Sequence, residues 1–122
     1  MIRYIALASI LLCTPATAAE SDELAPVPSS ALIGRQYCGD TAPSRIRFIN
    51  LRDRAVRITW IALDGARRPY GTLAPGGEMV QPTFLAHRWV VEDAADGQPL
   101  YGFISTRSAA RDEGATPIAL IR

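Results

Sequence analysis

The residues best suited to chemistry in this 122-residue sequence lie in one stretch, residues 60–89. Six side chains there combine aromatic surface with two hydrogen-bonding groups: Trp60, Tyr70, Thr83, Phe84, His87 and Trp89. Aromatic walls can bury an apolar ring, a neutral imidazole offers one donor and one acceptor, and a threonine hydroxyl offers both. The combination predicts a pocket for a small ring-bearing group, in which Thr83 and His87 hydrogen-bond a ligand hydroxyl.

The same residues also fit a purely structural interpretation. In a domain of about a hundred residues, two tryptophans and a tyrosine are typical of a hydrophobic core. A single histidine is often a structural hydrogen-bonding residue. The residues alone leave both interpretations open, and the exposure of Thr83 and His87 to a common cavity is what separates them.

Other chemistries lack their residues. One histidine and two cysteines do not make a dedicated zinc or copper site. Glu92, Asp93 and Asp96 do not have EF-hand spacing, and we expect them in a solvated turn rather than around calcium. A hydrolase or envelope enzyme would use His87 as its base, but no G-x-S-x-G elbow supplies a nucleophile. We therefore expect no catalytic residues, no metal and no cofactor.

The elements that must position the six side chains are short strands. The longest strand signal, Ala55 to Leu63, places Trp60 on one face with Val56 and Ile58, and Asp64-Gly65 ends it. Shorter strand candidates follow the same period of two: residues 45–49, 68–73, 78–81, 88–92, 100–105 and 118–121. Turn signals separate them, and no amphipathic helix intervenes, although residues 105–113 fit either a short helix or a loop. The pattern predicts an all-β fold, a β-sandwich.

The first nineteen residues predict a signal peptide. Arg3 precedes an apolar run of about ten residues, and small residues follow at 16–19. The run is too short to span a bilayer, which takes about twenty residues. We expect cleavage after Ala18 or Ala19 and an exported protein, periplasmic or extracellular, with no membrane span after cleavage. An uncleaved N-terminal anchor is the alternative.

The remaining chain divides into a linker and one domain. Residues 20–43 have no strand or helix periodicity and predict a flexible linker before a domain at 44–122. Export leaves Cys38 as the one cysteine, either a buried thiol or an intermolecular partner. The 13 basic and 12 acidic residues form no basic stripe, so we expect no nucleic-acid partner.

Residues from about 45 to 105 resemble the β domain of the von Hippel–Lindau family. The matching pattern is Phe48-x-Asn50, Trp60, Asp64-Gly65, Pro69-Tyr70, T-L-x-P-G at 72–76, His87-x-Trp89 and Asp93-Ala94. The resemblance implies a β-sandwich that acts as the substrate-recognition part of a ubiquitin ligase. Its pocket is implied to hold a 4-hydroxyproline of an extended peptide.

The resemblance also implies roles for individual residues. Trp89 corresponds to the floor of the pocket and Tyr70 to a wall. Thr83 and His87 correspond to the pair that hydrogen-bonds the hydroxyl, and Trp60 to a tryptophan beside the pocket. These implied roles fall on the side chains that the residue types had already singled out.

The sequence departs from the family pattern at the site. Phe84 stands where the family has a tyrosine, Pro82 offers no N–H, and Thr83 replaces a serine. Asn50 matches an asparagine with a loop-ordering role. The ligase-recruiting helical domain is not expected in these 122 residues, so ubiquitin ligase components are not expected as partners.

Taken together, the sequence predicts an exported binding module rather than an enzyme. Its expected partner is a peptide or protein ligand, with a prolyl or hydroxyprolyl group as the candidate for the aromatic pocket. The alternative is a structural or interaction domain of the cell envelope with no small-ligand pocket.

Overall fold

The computed structural model of the chain describes residues 22–32, 42–106 and 116–122. They form a short 3-10 helix, η1 (Ser29–Leu32), and seven strands: β1 (Pro43–Asn50), β2 (Val56–Ile61), β3 (Arg67–Leu73), β4 (Glu78–Phe84), β5 (Arg88–Asp93), β6 (Pro99–Ile104) and β7 (Ile118–Ile121). The predicted signal peptide, Cys38 and residues 107–115 lie outside the described ranges. Within those ranges, no helix has the length and apolar character needed to cross a membrane.

The strands form two packed sheets. Sheet A has the strand order β4-β1-β7, and sheet B has the order β3-β2-β5-β6. All neighbours are antiparallel except β1 and β7, which are parallel. The predicted all-β sandwich is confirmed, and each predicted strand coincides with an observed one.

Alternation in the sequence explains which side of each strand faces inward. In β1, Ile46 and Phe48 are completely buried, while Arg45 and Arg47 point outward. Successive side chains of a strand point to opposite faces, so this pattern buries one face of sheet A. At the end of β2, Gly65 adopts φ 86°, and the Asp64 carboxylate accepts a hydrogen bond from the Ala66 N–H at 2.9 Å. The predicted Asp-Gly turn therefore forms with its expected chemistry.

The main core lies between the sheets and is built around three aromatic rings. Phe48 of sheet A contacts Trp89 and Phe103 of sheet B, with ring centroids 5.9 Å and 6.2 Å away. All three side chains are at most 2% exposed. Tilted and edge-on contacts at these separations are favourable aromatic arrangements. Trp89 thus belongs to the core, whatever else it does.

A second, smaller core covers the outer face of sheet B. There Leu32 of η1 packs on Ile61 of β2 and Val90 of β5. The contact with β6 is close: a Cβ on Gly102 would lie 2.0 Å from Leu32 Cδ1, so only glycine fits beneath this side chain. The sequence pattern did not predict that this face is covered.

Residues 22–32, called the N-terminal strap from here on, tie the two sheets together along one side. Glu23 bridges Ile118 of β7 in sheet A, and Val27 bridges Gly102 of β6 in sheet B. The Val27–Gly102 bridge has both of its backbone hydrogen bonds, each 2.8 Å long. For these residues the structure differs from the predicted flexible linker, because the backbone pairs with sheet edges instead of following a pattern of its own.

Asn50 joins two loops at one end of the sandwich. Its side chain is completely buried, and its Nδ2 group donates to the carbonyl oxygens of Arg54, Leu73 and Ala74 at 2.9–3.2 Å. Its Oδ1 accepts a hydrogen bond from the Arg52 N–H at 3.0 Å. These bonds hold the β1–β2 loop against the β3–β4 loop, which is the ordering role that the resemblance implied.

We expect Asn50→Ala to lower the free energy of unfolding by on the order of 3 kcal/mol, because it strands buried carbonyls and one N–H. Asn50→Asp should cost at least as much, since it turns an acceptor toward three carbonyl oxygens. Urea unfolding followed by tryptophan fluorescence measures both. Gln81→Ala removes an exposed amide-to-carbonyl bond and serves as the control, with a change within about 0.5 kcal/mol. Wild-type stability in Asn50→Asp would contradict this role.

Candidate ligand-binding site

All six side chains singled out in the sequence meet around one cavity. The cavity measures about 120 Å³ and is lined by residues of both sheets, including their edge strands β3 and β4. Its lining residues are Trp60, Tyr70, Pro82, Thr83, Phe84, His87 and Trp89. Of these, Thr83 and Trp89 are buried, and Tyr70 and Phe84 are exposed at the rim. The cavity is therefore open to solvent above a closed floor.

The floor and one flank of the cavity come from two tryptophans on neighbouring strands. Trp60 of β2 lies directly opposite Trp89 of β5, so the two indoles share the inner face of sheet B. Trp89 is 2% exposed, whereas Trp60 is only partly buried and packs against the edge of the core. One indole thus closes the cavity from below and the other flanks it.

A β-bulge in β3 directs the tyrosine wall. Ile58 of β2 pairs with Gly71, but the next residue, Thr59, pairs with Pro69, so Tyr70 is an extra residue in β3. Bulges re-aim a side chain out of the regular ladder. The Tyr70 ring lies edge-on to Trp89 with the centroids 5.1 Å apart, and edge-on to Trp60 at 6.3 Å. No pattern in the sequence signalled this bulge.

A tight turn after β4 places the histidine. The His87 N–H donates to the carbonyl oxygen of Phe84 at 3.2 Å, and Ala86 adopts φ 67°, in the left-handed region that disfavours residues with a side chain. The bond from the Ala86 N–H to the Ser105 carbonyl, 2.7 Å long, holds the turn against the end of β6. His87 therefore precedes β5, and this turn rather than strand alternation brings it to the same cavity as Trp89.

Each indole N–H in the site has a side-chain acceptor. Trp89 Nε1 donates to Thr83 Oγ1 at 3.0 Å, and Trp60 Nε1 donates to His87 Nδ1 at 3.1 Å. The planes of the His87 and Trp60 rings are 16° apart. An indole N–H lies in the plane of its ring, so the two rings meet edge to edge through this bond. Thr83 and His87, predicted to hydrogen-bond a ligand, thus each already accept a hydrogen bond from a tryptophan of the site.

The electrostatics of the cavity keep His87 neutral. Burial lowers the pKa of His87 below its ordinary value of 6.5. No carboxylate is among the cavity-lining residues, and the Arg68 guanidinium lies 5.8 Å from the centre of the Trp60 ring. Arg68 pairs with Trp60 across β2 and β3, and sequence analysis had not picked it out.

The carboxylates of Glu92 and Asp93, which were considered as calcium ligands, form hydrogen bonds and ion pairs within the protein. The buried Glu92 carboxylate accepts the Thr59 hydroxyl at 2.5 Å and lies 3.6 Å from Arg57 and 3.5 Å from Arg67. The Asp93 carboxylate accepts the Ala95 N–H, which lowers its pKa. Among the described residues, no group of three or more His, Cys, Asp or Glu is arranged to hold a metal. Glu92 and Asp93 are buried, contrary to the expected solvated turn.

A second cavity, of about 320 Å³, lies between the N-terminal strap and the end of β6. Leu24, Ala25, Val27 and Ile104 give it a mainly aliphatic lining, and it contains no aromatic or histidine side chain. Thr106 and Asp22 at its rim adjoin residues outside the described ranges. The aromatic cavity is therefore the candidate site, despite its smaller size.

Comparison with known protein families places most of the described strands, and the whole cavity, within a family match. A family model described as VHL beta domain matches residues 38–103, more than half of the 122 residues. The matched range runs from before β1 to the end of β6. It includes every residue that lines the aromatic cavity.

The burial of His87 makes the free energy of unfolding depend on pH near neutrality. The pKa of His87 is lower in the folded protein than in the unfolded chain. The stabilisation by neutral His87 is therefore complete above pH 6.5, and it is lost as the pH falls from 6.5 through the pKa of the folded protein. We expect the free energy of unfolding to fall between pH 7.5 and 5, measured by urea unfolding. His87→Asn keeps an acceptor for Trp60 but does not titrate, so its decline should be smaller. Parallel pH profiles of the two proteins would contradict this prediction.

Proposed function

This chain belongs to the VHL beta domain family, and on that premise we propose that it binds a peptide by enclosing one prolyl-type ring in the aromatic cavity. Domains of this family are substrate-binding, protein-binding β domains. The single observation that carries the proposal is the convergence of the six side chains on one open cavity. The proposed activity is binding, without a chemical step.

The size of the cavity favours one ring of a larger ligand. Pockets that enclose a whole drug-sized molecule measure about 300–1,000 Å³, whereas this one measures about 120 Å³. A five-membered ring fits such a volume, and the rest of the ligand then lies on the surface. The rim residues Tyr70 and Phe84, 50% and 44% exposed, provide apolar surface for those neighbouring groups.

Burial of the ring supplies the affinity, and the polar pair supplies orientation. Transfer of a prolyl ring from water to the indole floor contributes on the order of 1–3 kcal/mol. Thr83 and His87 border the same space and give a ring oxygen, such as that of hydroxyproline, a hydrogen-bonding partner. Proline and hydroxyproline are therefore the two ring groups to compare.

The second candidate function is a structural or interaction domain, favoured by the burial of Trp89 in the main core. In that case the indole–threonine and indole–histidine bonds serve folding only. The two candidates differ in the rim: a structural role needs no ligand contact from Tyr70, which is half exposed, whereas a binding role does.

Calorimetric titration of short peptides with a central proline or 4-hydroxyproline tests the binding proposal. We expect measurable binding of at least one of them and a loss of about tenfold in affinity for Tyr70→Ala, since the substitution removes a wall of the cavity. Leu51→Ala removes an equally exposed side chain outside the cavity and should leave the affinity unchanged. Absence of binding by both peptides would favour the structural domain.

We further propose that the protein is exported, on the strength of the basic, apolar and small-residue regions at residues 1–19. Expression of the full chain in a bacterial host should yield a mature protein that begins at Ala19 or Glu20, as read by intact-mass measurement of the periplasmic fraction. Ala18→Asp together with Ala16→Asp should block processing. A full-length mass in the cytoplasmic fraction of wild-type cells would contradict export.

A further inference from the structure

The hydrogen bonds within the cavity carry an inference about ligand chemistry that rests on the proposed function. We propose that the cavity selects its ligand through an oxygen that accepts hydrogen bonds, such as a keto or amide carbonyl. A hydroxyl group is then recognised only through its oxygen, because the inner part of the cavity offers no acceptor for its hydrogen. The proposal follows from which donors and acceptors the protein already uses.

His87 offers a ligand no hydrogen-bond acceptor. Its Nδ1 accepts the Trp60 N–H at 3.1 Å, so Nδ1 carries no proton. The flipped ring would place a carbon at the position of Nδ1 and would leave the indole N–H without an acceptor. A neutral imidazole with a bare Nδ1 carries its proton on Nε2. The nitrogen that remains for a ligand can therefore donate but not accept.

Thr83 also has a donor to offer. Its Oγ1 accepts the Trp89 N–H, and among the described residues its hydroxyl hydrogen has no acceptor. The side chain is only 6% exposed, so bulk water reaches it poorly. A buried donor without an acceptor is unfavourable by about 1–3 kcal/mol. An accepting oxygen on a bound ring relieves this cost directly.

The other lining groups add no buried acceptor, since the Tyr70 hydroxyl, which can accept, belongs to a side chain exposed at the rim. Both indole N–H groups are donors and are already bonded. The Pro82 carbonyl oxygen accepts the Gln81 side-chain amide at 2.9 Å, and Pro82 has no N–H. Phe84 offers only its ring, and the Arg68 cation beside Trp60 favours an electron-rich ligand atom. The inner part of the cavity thus offers the Thr83 hydroxyl as a donor and no buried acceptor.

This donor pattern changes what a hydroxyproline gains. Its oxygen can accept from the Thr83 hydroxyl, as a ketone oxygen can. Its own hydrogen finds only the second lone pair of Thr83 Oγ1 or solvent, and occupying that lone pair turns the Thr83 hydrogen away from the ligand. We therefore expect little difference between a hydroxyl and a ketone on the same ring position.

Peptides that differ only in one central residue test the proposal: proline, 4-hydroxyproline and 4-oxoproline. Calorimetry should give affinities for the hydroxy and oxo peptides within about threefold of each other, and both about tenfold above the proline peptide. In Thr83→Val the advantage of the oxo peptide over proline should shrink, whereas Thr83→Ser keeps the hydroxyl and should preserve it. The wild-type comparison stands even if Thr83→Val does not fold.

The histidine gives a readout that needs no ligand. Long-range nitrogen–proton NMR of the free protein at pH 7.5 should show the proton of His87 on Nε2. A proton on Nδ1, or a hydroxy peptide that binds more than tenfold tighter than the oxo peptide, would overturn the acceptor rule and leave the proposed function standing. If none of the three peptides binds, the proposed function is refuted, and the acceptor rule is refuted with it.

Discussion

Two indole N–H groups, one buried and one partly buried, set the requirement that this site has to meet. Trp60 and Trp89 lie side by side on β2 and β5, and each needs a hydrogen-bond acceptor. Thr83 comes from the opposite sheet and His87 from a turn that holds Ala86 in the left-handed region. A missing acceptor would cost about 1–3 kcal/mol, so these bonds are part of what keeps β4 and its turn against sheet B.

The residue types left open whether these side chains form a hydrophobic core or a ligand pocket. In the structure the same side chains take part in both a core and a cavity. Trp89 is a core residue by burial and also the floor of a cavity. Thr83 and His87 are structural acceptors on one side and unused donors on the other. For the proposed binding, a cavity whose walls are held by hydrogen bonds of the fold is organised before a ligand arrives, which reduces the entropy lost on binding.

Much of the fold could be predicted from the sequence, because apolar and polar residues alternate along a strand when one of its faces is buried. The strands at residues 43–50 and 56–61 show this, since arginines alternate with side chains that are completely buried. Six of the seven cavity-lining residues could also be singled out, because the aromatic residues and the histidine cluster within residues 60–89. Trp60 and Trp89 are paired across adjacent strands, a relation that sheet register fixes and sequence distance does not display.

What escaped prediction depends on partners distant in the chain. The N-terminal strap has no periodicity because single residues, Glu23 and Val27, bridge two different sheets. The burial of Glu92 depends on Thr59 and on arginines from β2 and β3. The bulge at Tyr70 is a change in the pairing register of β2 and β3, and neither strand's own sequence indicates it. Donor and acceptor use in the cavity likewise becomes visible only when Trp60 and His87 are in contact.

The parallel pairing of β7 has a consequence for the order in which the chain assembles. Ile118 lies between Arg47 of β1 and Glu23 of the N-terminal strap, so three remote parts of the chain meet at one residue. Neither the strap nor β1 has this partner until β7 has been synthesised. Such non-local pairing slows folding toward the millisecond-to-second range. On the proposed export route, the seven-stranded sandwich can therefore close only after residues 118–121 have been made.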